Sequence, residues 1–423
     1  MLDAIVGLNW GDEGKGRIVD LFAQNYDCVC RYQGGNNAGH TVINSRGSFV
    51  LNLIPSGIFN ENTVNIMGNG MLIDIEHLYG EIQDLLSKGI KITPDNLKIS
   101  EKAFICLPYH KAQDNMEEDR LADRQFGSTR RGIAYGYGDK YLKRGIRMGD
   151  LLHLDSLTDN LTEIVAWKNF SLSGYGQTPI EVEDIISWLN KYGLPLKPFI
   201  TDITTYLEDA ISAGKNILFE AQLGALRDID YGIYPYTTSS QTLAAYAPIG
   251  AGIPGRKLDK SIGILKAYSS CVGEGPFVSE FVGEDADKLR EAGSEYGAAT
   301  GRKRRVGAFD IPASTYGVRV QGATEVILTK LDVLAYMEKI PVCVAYMIDG
   351  ERTTAFPQGD RLARATPVIE YLEGFNCDIQ SCRSVEELPQ AALDYINYLQ
   401  NALSCKFSII SVGPERDEYI VLP

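Results

Sequence analysis

The chain has 423 residues, 44% of them hydrophobic and 23% charged, which is an ordinary globular composition with ample apolar content for a large core. Its formal net charge of −14 argues against a nucleic-acid partner, which needs a basic surface, and no apolar run reaches the roughly 20 residues that span a bilayer. MLDAIVGLNW has neither a basic n-region nor a small-residue cleavage site, so no export signal is expected; the eight scattered cysteines, with no C-x-x-C pair, argue against a zinc site and suit free thiols in a reducing cytoplasm.

In chain order, residues 3–8 (DAIVGL) predict a short buried strand and RIVDLFAQNY the start of a helix, with a glycine-rich turn between them. This is the opening βα unit of a parallel α/β sheet. Apolar runs recur as TVNIMG, NILFE, SIGILKAYSS, TEVILTKLDVL, IPVCVAYMI and FSIISVG, and AALDYINYLQNAL reads as a covering helix. Residues 74–125 and 150–215 read as polar-faced helical insertions. With no repeat, low-complexity segment or long linker, the expectation is α/β: one domain over 1–423, built on a large, mostly parallel sheet covered by helices.

The turn is Gly11-Asp12-Glu13-Gly14-Lys15-Gly16. Taken alone it could be a tight surface turn, since Gly and Asp form turns. Between a buried strand and a helix N-terminus, however, its N–H groups and the helix dipole suit an anion, and Lys15 adds a point charge. It departs from the Walker A loop, whose Ser/Thr hydroxyl holds Mg²⁺, because Gly16 follows Lys15. Asp12 is then the natural metal ligand, since Mg²⁺ takes one or two carboxylates together with phosphate oxygens.

Further along, QGGNNAGHT (33–41) sets His40 among glycines and asparagines, where an imidazole suits general acid chemistry near neutral pH. GAATGRKRR (297–305) places four consecutive cations in an acidic chain, which suits a local anion site. Thr329-Lys330-Leu331-Asp332 follows the strand VIL, where GTP-binding proteins carry N-K-x-D and the Asp accepts from guanine N1–H and the 2-amino group. YPYTTSS (234–240) and SVGP (411–414) are turns that by themselves say nothing more.

These stretches together resemble the adenylosuccinate synthetase family over nearly the whole chain. The resemblance rests on WGDEGKG (10–16), RYQGGNNAGHT (31–41), IPSGI (54–58), GILKAYS (263–269), VGEGPF (272–277), TGRKRR (300–305), TKLDVL (329–334), LPQAALDYI (388–396) and VGPER (412–416). It implies one α/β domain related to the P-loop nucleotide-binding fold, working as a homodimer. It also implies the reaction of IMP, L-aspartate and GTP to adenylosuccinate, GDP and phosphate in AMP synthesis, through a 6-phosphoryl-IMP intermediate.

The resemblance carries roles onto residues. Asp12 is the base and a Mg²⁺ ligand, His40 the acid, and the Gly39 carbonyl a second Mg²⁺ ligand. The GTP contacts are Gly11, Glu13, Gly14, Lys15, Gly16, Arg17, Gly39, Thr41, Arg304, Lys330, Leu331, Asp332, Ser411, Val412 and Gly413. IMP is expected on Asn37, Thr129, Lys143, Gln222, Thr238 and Arg302, and aspartate on Ala298, Ala299, Thr300, Gly301 and Arg302.

Several positions depart from the family pattern. Asn9 replaces a Gln; FEAQLG puts Leu223 where an IMP-binding Gln is usual, with Gln222 one residue early; Ala299 removes a hydroxyl. GSTRRG carries Arg130, and Lys143, beside Arg144, stands where an arginine serves the partner subunit. The expectation is turnover with weaker IMP affinity. The alternatives are a related ligase for another purine nucleotide or amine, and a GTP-binding regulator without chemistry. A regulator needs no acid–base pair, and dinucleotide binding would require a G-x-G-x-x-G after the first strand.

Overall fold

A computed structural model describes residues 1–423 except 38, 45, 298–300 and 302. Ten strands form the main sheet: β1 (Leu2–Gly7), β2 (Cys28–Arg31), β3 (Val64–Met67), β4 (Leu97–Ser100), β5 (Ile200–Thr201), β6 (Ile217–Gly224), β7 (Lys260–Lys266), β8 (Glu325–Thr329), β9 (Phe407–Ser411) and β10 (Tyr419–Val421). Their spatial order is β10-β9-β8-β7-β1-β6-β2-β3-β4-β5. All neighbours are parallel except the β9–β10 pair.

β1 shows why these runs read as continuously apolar. Its six residues are all buried because both faces of the sheet are covered. Successive side chains alternate between faces. Ile5 packs on Ile18 and Val19 of α1 (Lys15–Phe22), while Ala4 and Val6 pack toward Ile203 and Leu207 of α2 (Ile203–Ser212). On the β7–β9 side, Leu265 and Leu328 join Val318 of α3 (Ile311–Gln321) and Tyr395 and Leu399 of α4 (Gln390–Leu403).

The two spans expected as insertions carry helices at 75–87, 108–121, 158–174, 182–193 and 203–212, and they also supply β4 and the edge strand β5. One run lies elsewhere. IPVCVAYMI lies in Lys339–Ile348, which pairs antiparallel with Thr366–Glu373 and parallel with Phe309–Asp310 in a separate small sheet. β9 already occupies the place beside β8, and an apolar run does not say which sheet will take it.

Parallel strands bring their carboxyl ends to one edge. There the chain leaves β1, β6, β7, β8 and β9 into the segments that carry most of the candidate residues, where ligands of open α/β sheets bind.

Candidate active site

The turn after β1 is built on left-handed backbone: φ is 102° at Gly11, 60° at Asp12 and 94° at Gly14. Glycine adopts this freely, and Asp is among the few side chains that tolerate it. Asp12 is thereby held half-exposed at the turn, 3.0 Å from Arg304 Nε through Oδ2. Glu13, expected among the GTP contacts, turns inward instead. Its carboxylate accepts from the N–H of Asn9 (3.2 Å) and Gly11 (2.8 Å) and pairs with the buried Lys15 Nζ at 2.5 Å. The side chain of Glu13 therefore shapes the loop from beneath. Thr329, at the end of β8, locks the same loop by donating to the Glu13 carbonyl at 2.7 Å.

His40 opens a hairpin, His40–Asn44 with Gly47–Leu51, and is buried against α1. Its Nδ1 lies 2.5 Å from Oε1 of Glu220, in the middle of β6, and Glu220 also accepts from the Ser56 N–H (2.8 Å) and hydroxyl (2.7 Å). Burial lowers the imidazole's pKa, while the Glu220 carboxylate on Nδ1 opposes that shift. Burial pushes Glu220 up, but His40, Arg31 and Ser56 outweigh it and hold it low. A carboxylate on Nδ1 fixes the tautomer, turns Nε2 outward and favours the imidazolium once charge develops. Sequence reasoning passed over Glu220. The available signal was an acid inside a buried apolar strand, NILFE.

The structure joins three other stretches. Gln222 is fully buried: its amide donates to Asn37 Oδ1 (2.8 Å), its oxygen accepts from Arg31 (3.0 Å), and it packs on Gly34. It therefore sets the position of Asn37, while Leu223 takes a left-handed φ of 61°. Gln33 donates to the Gln222 carbonyl (2.7 Å) and accepts from Ser240 (2.8 Å), which ties in the turn carrying Thr238. Arg227, also unforeseen, braces that turn: it donates to the carbonyls of Tyr236, Val272 (2.6 Å) and Glu274 (3.2 Å), and its own carbonyl accepts from Thr238 N–H at 2.9 Å. The segment with the exposed Thr129 lies against the same turn, because the Phe126 ring sits edge-on to Tyr236.

At the β8–β9 end, Leu331 N–H donates to the Ser411 carbonyl (3.2 Å), so Lys330, Leu331 and Asp332 lie beside Ser411, Val412 and Gly413. Arg17 of α1 holds that loop through the Ser411 hydroxyl and the Gly413 carbonyl, both at 2.6 Å. Behind Lys330, the fully buried Glu295 receives Lys266, Lys330, Arg304 and Tyr268. Burial pushes Glu295 up, but Lys266, Lys330 and Arg304 outweigh it and hold it well below the usual carboxylate range. Burial brings Lys266 down to about 8.

Thr41 and Gly301 are exposed, as is Lys143, which ends the helix Ile133–Leu142 in a left-handed conformation. Ala298, Ala299, Thr300 and Arg302, the expected aspartate site, lie outside the described residues. All eight cysteines are free, and no helix among the described residues is long and apolar enough to cross a membrane.

A parallel α/β sheet with a glycine-rich strand–loop–helix turn at its carboxyl edge defines a nucleotide-binding α/β protein. The family model for adenylosuccinate synthetase matches residues 4–420. The chain is 44% identical to the adenylosuccinate synthetase of Caldanaerobacter subterraneus subsp. tengcongensis over 420 residues, 99% of this chain and 98% of the relative. The structure of the fully ligated adenylosuccinate synthetase from Plasmodium falciparum superposes with a TM-score of 0.94 at 34% identity, covering both chains completely. A cyanophage S-2L succinoaminodeoxyadenylate synthetase shares the fold at 16% identity, with a TM-score of 0.61 over 100% of this chain and 95% of that one. The chain belongs to the adenylosuccinate synthetase family, ligases that form a C–N bond between L-aspartate and IMP with GTP as co-substrate.

Proposed function

We propose that this chain carries out that ligation as a single domain, with Asp12 as base and His40 as acid. The observation that carries the assignment is the buried His40–Glu220 pair at 2.5 Å, packed on the helix whose preceding turn presents Asp12. Asp12 takes the N1 proton of IMP, and the electrons move to O6. O6 attacks the γ-phosphorus of GTP and the bond to the β-phosphate oxygen breaks. His40, protonated as the imidazolium that the Glu220 carboxylate on Nδ1 favours, donates from Nε2 to the charge that develops there. The aspartate amine then adds at C6, and the C6–O6 bond breaks as phosphate leaves.

Lys330 and Asp332 frame guanine, with Ser411 to Gly413 over it, and Arg304 serves the phosphates. An arriving triphosphate would draw Arg304 from Asp12 and free the carboxylate. Asn37, Thr129 and Thr238 serve IMP, and Arg302 serves both IMP and aspartate. The Asp12 carboxylate and the Gly39 carbonyl are hard oxygens that suit Mg²⁺ once phosphate oxygens complete the shell. Bound there, Mg²⁺ neutralises phosphate charge. Among the described residues no cluster of three metal-binding side chains exists, which fits a site completed by substrate.

The active unit is a homodimer. Trp167 and Phe170 are exposed with their rings edge-on, Arg144 beside Lys143 stacks on Trp167 at 3.9 Å, and Tyr141 and Leu142 just before Lys143 in the chain are exposed as well. Exposed apolar side chains of this kind suit a second copy, with the Lys143-Arg144 pair reaching its IMP phosphate. The free thiols support a cytoplasmic setting.

IMP labelled with ¹⁸O at O6 tests the route. The label should appear in the released phosphate, and GTP should be consumed only when IMP and aspartate are both present. Label released to water, or GTP turnover without IMP, would refute it.

A further inference from the structure

Glu295 has no part in the chemistry above, yet its carboxylate accepts from Lys266, Tyr268, Arg304 and Lys330 beside the site. It is completely buried, and its donors come from three places in the chain. Lys266 at the end of β7 lies 2.8 Å from Oε1, Lys330 after β8 lies 3.0 Å from Oε1, and Arg304 Nη1 lies 2.9 Å from Oε2. The Tyr268 hydroxyl completes Oε1. Stability alone does not account for three cations on one buried carboxylate, because desolvation offsets much of the attraction and an apolar cluster would serve as well. The arrangement leaves an excess of positive charge under a site meant for a polyanion, in a chain of net −14.

The two outer cations face different ways. Lys330 stands two residues before Asp332 and is half-exposed, whereas Arg304 turns its Nε to Asp12 at 3.0 Å. One carboxylate thus anchors a residue at the base end and a residue at the phosphate end.

We propose that Glu295, backed by Lys266 and Tyr268, is a positioning residue for the nucleoside triphosphate, fixing Lys330 and Arg304 relative to each other. The inference rests on the reading of those two residues as GTP contacts.

Steady-state kinetics on the full-length Glu295→Gln enzyme test it, with Arg304→Gln and Lys330→Met alongside. Leaving charged donors unmatched should raise KM for GTP by about 10–100-fold, while KM for IMP changes by less than about 3-fold. A merely structural residue would depress all substrates together. A folded Glu295→Gln enzyme whose KM for GTP stays within about 3-fold of the parent, or whose loss is shared equally by GTP, IMP and aspartate, overturns the inference. If Arg304→Gln and Lys330→Met themselves leave KM for GTP unchanged, the underlying assignment of those contacts fails, and the inference with it. Should Glu295→Gln not fold, Tyr268→Phe decides, since it removes one O–H and keeps the packed ring. A rise of about 3-fold or more in KM for GTP with IMP unaffected supports the anchor, and no rise overturns it.

Discussion

Gly16 and His40 pack so closely that a Cβ added to Gly16 would lie 2.7 Å from the His40 Cβ and 3.2 Å from the Ser56 hydroxyl oxygen. A Walker A loop carries Ser or Thr at this position. Here the space is already filled by the imidazole and by the serine that holds its carboxylate partner. Losing the loop hydroxyl and gaining the acid are thus one structural change, and Asp12 in the same loop is left to meet the metal.

Gly16→Ser should therefore inactivate the enzyme even though it restores the familiar loop. Overpacking of this kind costs about 1–3 kcal/mol, and displacing His40 should lower kcat by roughly 10²-fold or more. Thermal unfolding together with turnover checks this; a variant with normal kcat would show that the imidazole does not need its present place.

Asp12→Asn should fold, since Asn also tolerates the left-handed φ of 60° at this position. Loss of the base should cost about 10²–10⁴-fold in kcat. Near-normal ligation by this variant would remove Asp12 from the chemistry.

GTP should be preferred to ATP. Asp332 offers a carboxylate to guanine N1–H and the amino group, and leaving it unmatched against adenine should cost about 1–3 kcal/mol. Asp332→Asn should narrow the preference in kcat/KM. Equal efficiency with both nucleotides in the parent enzyme would count against the assignment of Thr329 to Asp332.

Mixing should restore activity if the IMP phosphate site is shared. An Asp12→Asn chain combined with a Lys143→Ala/Arg144→Ala chain gives a dimer with one intact site, provided the subunits exchange. Lysine lacks the fork of arginine, so Arg144 should carry part of the contact. A fully active monomer by sedimentation, or no rescue after proven exchange, goes against a shared site.

Asp310 gives a pH prediction away from the site. It caps α3 by accepting from the Ala313 N–H (3.0 Å), takes the Tyr346 hydroxyl (2.7 Å), and is raised by burial from 3.8 to about 6. A carboxyl raised on folding stabilises most below its unfolded pKa and loses that contribution as pH rises through the folded one. The rise from 3.8 to about 6 corresponds to at most about 3 kcal/mol. Asp310→Asn keeps the cap and cannot titrate, so its stability relative to the parent should improve between pH 4 and pH 7. A pH-independent difference in unfolding free energy would show that Asp310 does not titrate in this window.

By itself the sequence determined the βα opening, the mostly parallel sheet, the loop with Asp12 and Lys15, and the family, because these follow from local patterns: buried strands read as unbroken apolar runs, and tight turns need glycine. Only the tertiary structure decided the partners. Glu220 reaches His40 across 180 positions and Glu295 collects Lys266, Lys330 and Arg304, contacts that sheet order creates and spacing does not encode. It also turned Glu13 inward and buried Gln222 behind Asn37, since an acid or amide beside a motif can face either way until the surrounding donors are in place. The run 339–348 went to a second sheet for a similar reason: its apolar pattern is satisfied by any covered sheet, and β9 had filled the edge beside β8.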